Sequence, residues 1–270
     1  MRPTGFAYNP ARQILAWTEG SSSTSVYLAS LAVPGRRIVL KSDVSGLIPF
    51  RFSKNGDYLA ASTKGDQWGL TMDDGSMRVW NLETGQIMAS INGLIGDATF
   101  APDRAMLFVA VARDKDHEIG FYDLARPDRE PKRFAGRNYS GSGALAVSPD
   151  GELVASASDN GSVRLFSPAK GELIESVQGH LNGAHGVAFS PDGRRLISTS
   201  GGREAVKLWD VGTRQELLTL GGSGSILNAA NWSADGNVIL AGPRWQAWWA
   251  PSWEEIAAAE AKEKAESKQP

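Results

Sequence analysis

His117, His180 and His185 are the only imidazoles in this chain of 270 residues, and it contains no cysteine. Disulfides, thiolate metal sites and cysteine nucleophiles are therefore excluded, and general acid–base chemistry has few candidate groups. His117 stands in Arg113-Asp-Lys-Asp-His-Glu118, where Asp114, Asp116, His117 and Glu118 could supply metal ligands. The interleaved Arg113 and Lys115 favour a solvated charged loop instead. His180 belongs to a Gly-His pair that reads as structural, and His185 opens the next strand as a loop or packing residue. A serine hydrolase would need a Gly-x-Ser-x-Gly elbow between a strand and a helix. Tyr139-Ser-Gly-Ser-Gly143 has neither the leading glycine nor a following helical pattern. Gly221-Gly-Ser-Gly-Ser225 joins two strand-like runs, so it lacks the helix N-terminus on which phosphates are held. These residues predict no catalytic constellation, no metal and no cofactor.

The composition points to many strands joined by tight turns. There are 30 glycines and 13 prolines against 21% charged residues, and nine tryptophans, which fits a repeat using Trp once per unit. A formal net charge of −2 gives no global field toward nucleic acid or an anionic membrane. The first residues, Met-Arg-Pro-Thr-Gly-Phe-Ala-Tyr, lack the apolar core of a signal peptide, and no run approaches the ~20 apolar residues of a spanning helix. The expectation is a soluble cytoplasmic chain with neither nucleic acid nor membrane as partner.

The elements that position these residues come from a repeat. Gly179 to Val211 opens on Gly-His, turns at Phe-Ser-Pro-Asp-Gly and closes on Leu-Trp-Asp, with three short apolar runs between. The turn recurs at Tyr8-Asn9-Pro10, Phe52-Ser-Lys-Asn-Gly56, Phe100-Ala-Pro-Asp103, Val147-Ser-Pro-Asp-Gly151, Phe189-Ser-Pro-Asp-Gly193 and Trp232-Ser-Ala-Asp-Gly236. A second marker keeps the same period: Val26-Tyr27, Val79-Trp80-Asn81, Phe121-Tyr122-Asp123, Leu165-Phe166-Ser167, Leu208-Trp209-Asp210 and Ala247-Trp248. Proline presets φ early in each turn, and glycine ends it where φ is positive. The aromatic before the turn is expected to point inward, between neighbouring units. Runs such as Tyr58-Leu-Ala-Ala-Ser62 and Arg195-Leu-Ile-Ser-Thr-Ser200 suit strands buried on both faces.

Six units of roughly 40–45 residues with these marks resemble the WD40-repeat β-propeller family, from about Phe6 to Ala250. The resemblance implies an all-β propeller of about six four-stranded blades, the last incomplete, at about residues 5–45, 46–93, 94–140, 141–180, 181–224 and 225–250. The family often ties a blade together with bonded His, Ser or Thr, Asp and Trp side chains. His180, Ser198 or Ser200, and Trp209 beside Asp210 match in the fifth unit, whose inner hairpin has no Asp. Trp80 marks the second unit, and Asp159 the fourth, where Phe166 replaces Trp. With no complete set, blade stability is expected to come mainly from packing. Ser252 and Glu255 form a capping box that predicts a short helix from about residue 252, with a frayed tail to 270. The wording Ala250-Pro-Ser-Trp-Glu-Glu-Ile256 resembles the ends of bacterial WD40 proteins, some of which carry a kinase domain upstream; no kinase motif occurs here. The sixth unit has no outer strand and only five residues precede Phe6. Either the ring closes imperfectly, or the chain is the C-terminal part of a longer propeller, which is favoured. An open edge would invite association.

The resemblance further implies a non-catalytic scaffold that binds a protein or peptide on the propeller's loop face. The unusual loops there carry Gln67 and Trp68, then Arg113, Lys115 and His117, then Arg137, Asn138 and Tyr139, with Arg203 and Arg244 from later hairpins. Trp is the residue most enriched at interface hot spots. The other reading is Trp68 folded onto a neighbouring blade and the rest as solvated loops. The alternatives for the whole chain are a propeller hydrolase or lyase with a central-channel site, or a truncated part of a larger, kinase-fused protein. Thr71-Met-Asp-Asp-Gly75 resembles half of a sialidase Asp-box, but its aromatic falls too late.

Overall fold

The computed structural model describes residues 3–63, 75–113, 116–136, 144–222, 224, 226–242 and 246–249. Side chains at residues 1–4, 94–96, 112–117 and 134–136 are also outside the description. Every regular element described is a strand, and every pairing is antiparallel. The first sheet holds β1 (Pro3–Asn9), β2 (Ile14–Glu19), β3 (Ser25–Ser30) and β4 (Arg37–Lys41) in chain order. A seven-stranded sheet follows: β5 (Ile48–Phe52), β6 (Tyr58–Ser62), β7 (Gly75–Asn81), β8 (Ile87–Phe100), β9 (Met106–Arg113), β10 (Asp116–Asp123) and β11 (Lys132–Gly136). Its first half runs to β8, which pairs with β7 up to Gly93 and with β9 from Leu94 onward. One long strand therefore serves as the outer strand of one four-stranded set and the inner strand of the next. β12 (Leu145–Val147), β13 (Val154–Ala157), β14 (Ser162–Ser167) and β15 (Glu172–Gln178) form another sheet. β16 (Gly186–Phe189), β17 (Arg195–Thr199), β18 (Glu204–Asp210) and β19 (Glu216–Gly221) form the next, and β20 (Ala230–Trp232), β21 (Val238–Ala241) and β22 (Gln246–Trp249) the last. Repeated four-stranded antiparallel sheets are consistent with WD40 propeller blades. The helix expected from residue 252 lies outside the described residues.

The core is a series of sheet-on-sheet interfaces. Four apolar clusters each join residues of two successive four-stranded sets, and a fifth joins the β16–β19 sheet to the three-stranded last sheet. Leu59–Ser62, Val154–Ala157 and Leu196–Thr199 are buried at every position, as expected for a strand covered on both faces. Trp80 is fully buried, and its Nε1 donates to the Lys41 carbonyl of the preceding sheet at 3.1 Å. Phe52, Phe100, Val147, Phe189 and Trp232, the residues before the repeated turns, all pack into these clusters. Tyr8 departs from that expectation: it is 47% exposed, on the face of the first sheet opposite the one that packs against β5 and β6. Phe6 shares its face at 71% exposure, and among the described residues no apolar cluster covers them. Arg37 lies over the Tyr27 ring at 4.0 Å on this same face, reached through the Tyr27–Val39 register.

The turn after each inner strand is closed by one hydroxyl. Ser190 Oγ donates to Asp192 at 2.6 Å, and accepts from the Arg195 N–H at 2.9 Å. Ser53, Ser148 and Ser233 repeat the arrangement with Asn55, Asp150 and Asp235. The glycine that ends the turn has the positive φ it was chosen for, 73° at Gly193. In the first turn Asn9 takes the serine's place, and its side chain caps the Arg12 N–H and reaches the Ser53 carbonyl. In the third turn Ala101 has no hydroxyl, and Asp103 bonds Arg104 instead.

The fifth unit adds a buried polar set. His180 Nε2 lies 2.7 Å from Ser198 Oγ, which also accepts from Trp209 Nε1 at 2.9 Å. Ser198, not Ser200, is thus the partner. His180 Nδ1 has no hydrogen-bond partner, consistent with a hairpin that supplies no Asp. Burial, and then the nearby Lys207, pushes the His180 pKa down to about 4. Asp159 stands apart from this set and faces His185 Nδ1 at 3.5 Å.

Two predictions follow from these bonds. Ser190→Ala leaves the half-buried Arg195 amide without its acceptor and is expected to cost ~1 kcal/mol in denaturant unfolding. Asp192→Asn keeps an acceptor for the hydroxyl and should cost less. His180 is held neutral in the folded chain while the unfolded chain protonates near pH 6.5. The unfolded state therefore binds more protons between about 6.5 and about 4, and stability falls as pH drops through that window, by at most ~1.4 kcal/mol per unit. Unfolding midpoints measured from pH 7 to 5 should show this slope, and His180→Gln should flatten it.

Candidate interaction face

One end of the sheets is built from two sets of loops that bond to each other. The turns between second and third strands of each set lie there, together with the connections that leave an outer strand for the next sheet. The Ser42 and Gly46 amides donate to the carbonyls of Thr24 and Ser23. Gly179 and His180 donate to Gly161, and Ala184 to Ser158. Leu227 donates to Ser200, and Thr199 Oγ1 reaches the Leu227 carbonyl at 2.7 Å. Each connection is thus pinned across a hairpin turn, so side chains projecting from either share one face.

Two ion pairs tie neighbouring sheets at this face. Arg78 sits near the start of β7 with its side chain almost wholly buried. It donates from Nε and Nη2 to the two carboxylate oxygens of Asp43 at 2.7 and 2.8 Å. Its Nη1 donates to Asn92 Oδ1 and the Met77 carbonyl. Those guanidinium bonds are the first cause that holds the Asp43 carboxyl down to about 2, so the pair stays ionised throughout the neutral range. Asp97 likewise accepts from the Leu145 amide at 2.9 Å and lies 3.6 Å from Arg51. These ions fasten neighbouring sheets together.

The part of the face around the fifth set is different in kind. Leu181 is 85% exposed and Ile226 is 55% exposed, with Asn182 and Arg203 exposed beside them. Gly201 and Gly202 lie between the two. A β-carbon on Gly201 would stand 3.2 Å from Ile226 Cγ1, and one on Gly202 3.1 Å from Asn182 Nδ2. The two glycines leave room for both loops to come close. Arg203 was among the contact residues expected from the sequence, and Leu181 and Ile226 were not. Their signal was an aliphatic residue inside a Gly/Asn-rich connection, where no strand pattern calls for one.

The other expected contact residues fall as follows. Gln67, Trp68, Lys115, Arg137, Asn138, Tyr139 and Arg244 lie outside the described residues. Arg113 and His117 flank the β9–β10 turn, with His117 paired to Ala112 and Asp116 to Arg113. Their side chains, and that of Asp114, are also outside the description. Arg113 ends β9 and His117 lies in β10, while the other seven belong to connections between β6 and β7, β9 and β10, β11 and β12, or β21 and β22. Among the described residues no three His, Asp or Glu side chains gather as a metal would require, and no helix is long and apolar enough to cross a membrane. The His180–Ser198 pair has the spacing of an activated serine. Both groups are buried, however, and the hydroxyl holds the Trp209 N–H, so a substrate cannot reach it.

Comparison with known proteins agrees with this arrangement. The family model described as WD domain, G-beta repeat matches residues 137–167 and 171–210. An uncharacterized WD repeat-containing protein, sll1491, of the cyanobacterium Synechocystis is 30% identical over 156 residues, which cover 57% of this chain and 43% of that protein. Human apoptotic protease-activating factor 1 is 29% identical over 209 residues, covering 73% of this chain and 15% of that protein. Nuclear distribution protein PAC1 of Arthroderma benhamiae is 29% identical over 149 residues, 52% of this chain and 32% of that protein. The chain spans less than half the length of these relatives. The period and the repeated four-stranded sheets accord with these matches, and the chain carries repeats of the WD40 family.

Proposed function

We propose that the chain is a non-catalytic interaction scaffold, a propeller of about six blades that binds a protein or peptide partner on its loop face. The observation that carries this reading is the exposed Leu181 and Ile226 pair around Gly201 and Gly202, on the face where inter-sheet connections and hairpin turns converge. Isolated exposed aliphatics are ordinary, but two on adjoining loops with a polar rim have the make-up of a contact patch. The same face by topology takes in the loops of Gln67 and Trp68, of Arg113, Lys115 and His117, of Arg137, Asn138 and Tyr139, and of Arg244. An aromatic-centred, basic set there would suit a polar or acidic peptide continuing from the apolar patch. WD40 relatives support the scaffold role in general and leave the partner open.

A photo-crosslinking amino acid placed at position 181 should capture a discrete partner from cell extract, while the same group at exposed Leu217 on the outer rim should not. Leu181→Ser with Ile226→Ser, or Trp68→Ala with Tyr139→Ala, should reduce capture at least tenfold at an unchanged unfolding midpoint. Equal capture by all of these variants would sink the loop-face reading.

A second reading concerns the ends of the sheet series. Phe6 and Tyr8 on the first sheet, and Trp249 at 70% exposure on the last, are large apolar groups on faces no described sheet covers. Such faces fit a further sheet, from a longer propeller or a second copy, rather than a ring closed by these blades alone. Sedimentation over a range of concentrations should show self-association that Phe6→Ser with Trp249→Ser removes; a strict monomer would argue against the second copy.

A further inference from the structure

We propose that the outer edge of β8 is a docking site for an extended, uncharged segment of a partner protein, which adds to the sheet as a further strand. The site lies on the rim, away from the loop face, so it stands or falls independently of that reading.

The first observation is an open edge without the usual protection. β8 pairs with β7 along one side, and β9 joins only from Leu94. Along Ile87–Asn92 no described strand pairs with the other side. At about 3.3 Å per residue this leaves roughly 20 Å of edge, with main-chain donors and acceptors turned outward. Sheets guard such edges with charge. The other outer strands do so: β4 carries Arg37 and Lys41, β11 Lys132 and Arg133, β15 Glu172 and Glu175, and β19 Glu216. Ile87-Met-Ala-Ser-Ile-Asn-Gly93 has no charged residue and no proline.

The second observation is what stands beside that edge. Ile87–Asn92 form one wall of a groove of about 490 Å³, and the connection from Pro127 to Pro131 forms the other. That connection, between β10 and β11, runs from Leu124 to Pro131, longer than the corresponding link in any other described sheet. The groove has room for one extended segment. The Pro127–Pro131 wall stands where a second sheet would have to approach, which disfavours edge-to-edge pairing with another copy.

The chemistry of the lining indicates what kind of segment fits. Asp123 is engaged by Arg126, and Arg133 by Glu118 at 3.5 Å. The exposed wall carries Asp128, Arg129 and Glu130, with both signs present and neither in clear excess. Recognition therefore rests on main-chain hydrogen bonds, with half-buried Met88 and exposed Ile87 offering apolar contact. A strand-forming segment that alternates apolar and small polar residues satisfies both needs.

A displayed library of random heptapeptides, selected on the full chain, is a direct probe. Enriched peptides should share an alternating apolar pattern, and a synthetic one should slow amide hydrogen exchange within Ile87–Asn92 at least tenfold. Ile87→Lys with Ser90→Glu installs the charges that the other outer strands carry and leaves net charge unchanged. It should weaken binding at least tenfold while circular dichroism and the unfolding midpoint hold. Should that variant not fold, the single change Asp128→Pro, on the opposite wall, gives a second reading of the same groove. The proposal is overturned if no peptide is enriched, if enriched peptides bind the folded variants unchanged, or if the slowed amides lie elsewhere. It is also overturned if Ile87→Lys with Ser90→Glu abolishes a dimer of the chain, because the edge would then belong to a second copy.

Discussion

A four-stranded sheet cannot bury both of its faces alone, and everything else in this chain follows from that constraint. Each set lays one face on its predecessor and offers the other to its successor, giving five clusters between successive sets. The second strand of each set bears the consequence most directly. Leu196, Ile197, Ser198 and Thr199 are all buried, so polar groups among them must find partners inside. Ser198 bonds His180 and Trp209, and Thr199 reaches the Leu227 carbonyl of the following connection. Hydroxyl-bearing residues at these positions thus link one sheet's interior to the next sheet's entry.

The tryptophans show the same constraint solved in more than one way. An indole buried at an interface brings an N–H that needs an acceptor. Trp80 finds the Lys41 carbonyl, Trp209 the Ser198 hydroxyl and Trp232 the Ala188 carbonyl. Phe166 stands at the equivalent place in the fourth set and is buried with no such demand. The fourth set has no Gly-His pair before it, and its Asp159 faces His185 instead. Degeneracy of the repeat is incomplete: the donor is lost at Phe166, but Ser156, at the position of Ser198, remains buried with its hydroxyl unbonded.

What was legible in the sequence is what local bonding decides. Phe189-Ser-Pro-Asp-Gly193 encodes its own turn, because the hydroxyl, the carboxylate, the proline and the positive-φ glycine all act within six residues. Alternation and the second marker then supplied the period. Contacts that depend on where a neighbouring sheet falls were not legible. Tyr8 has the same sequence context as Phe52, yet only Phe52 packs inward, because the first sheet has a described neighbour on one side alone. Arg78 reads as an exposed position of an alternating strand, but Asp43 arrives from the preceding connection and allows its guanidinium to be buried. The loops of the proposed interaction face follow from the repeat's topology, while the exposed aliphatics on them, Leu181 and Ile226, carry no local signature.

The fifth set makes clear why a well-kept repeat can still be the place where function departs from it. The family's fourth bonding partner would come from the turn that here reads Gly201-Gly202-Arg203-Glu204, and its absence leaves His180 Nδ1 unbonded in the interior. Those same two glycines let Ile226 and Asn182 close over the turn at contact distance, where a side chain on either glycine would push them apart. One local choice therefore both weakens the tie inside the sheet and shapes the apolar surface outside it. The tie tolerates the loss because Ser198 still satisfies Trp209, and because Ile197, Ala205 and Val206 remain fully buried against the last sheet. Stability held by packing leaves the loops free to vary, and it is on the loops that a scaffold's specificity has to reside.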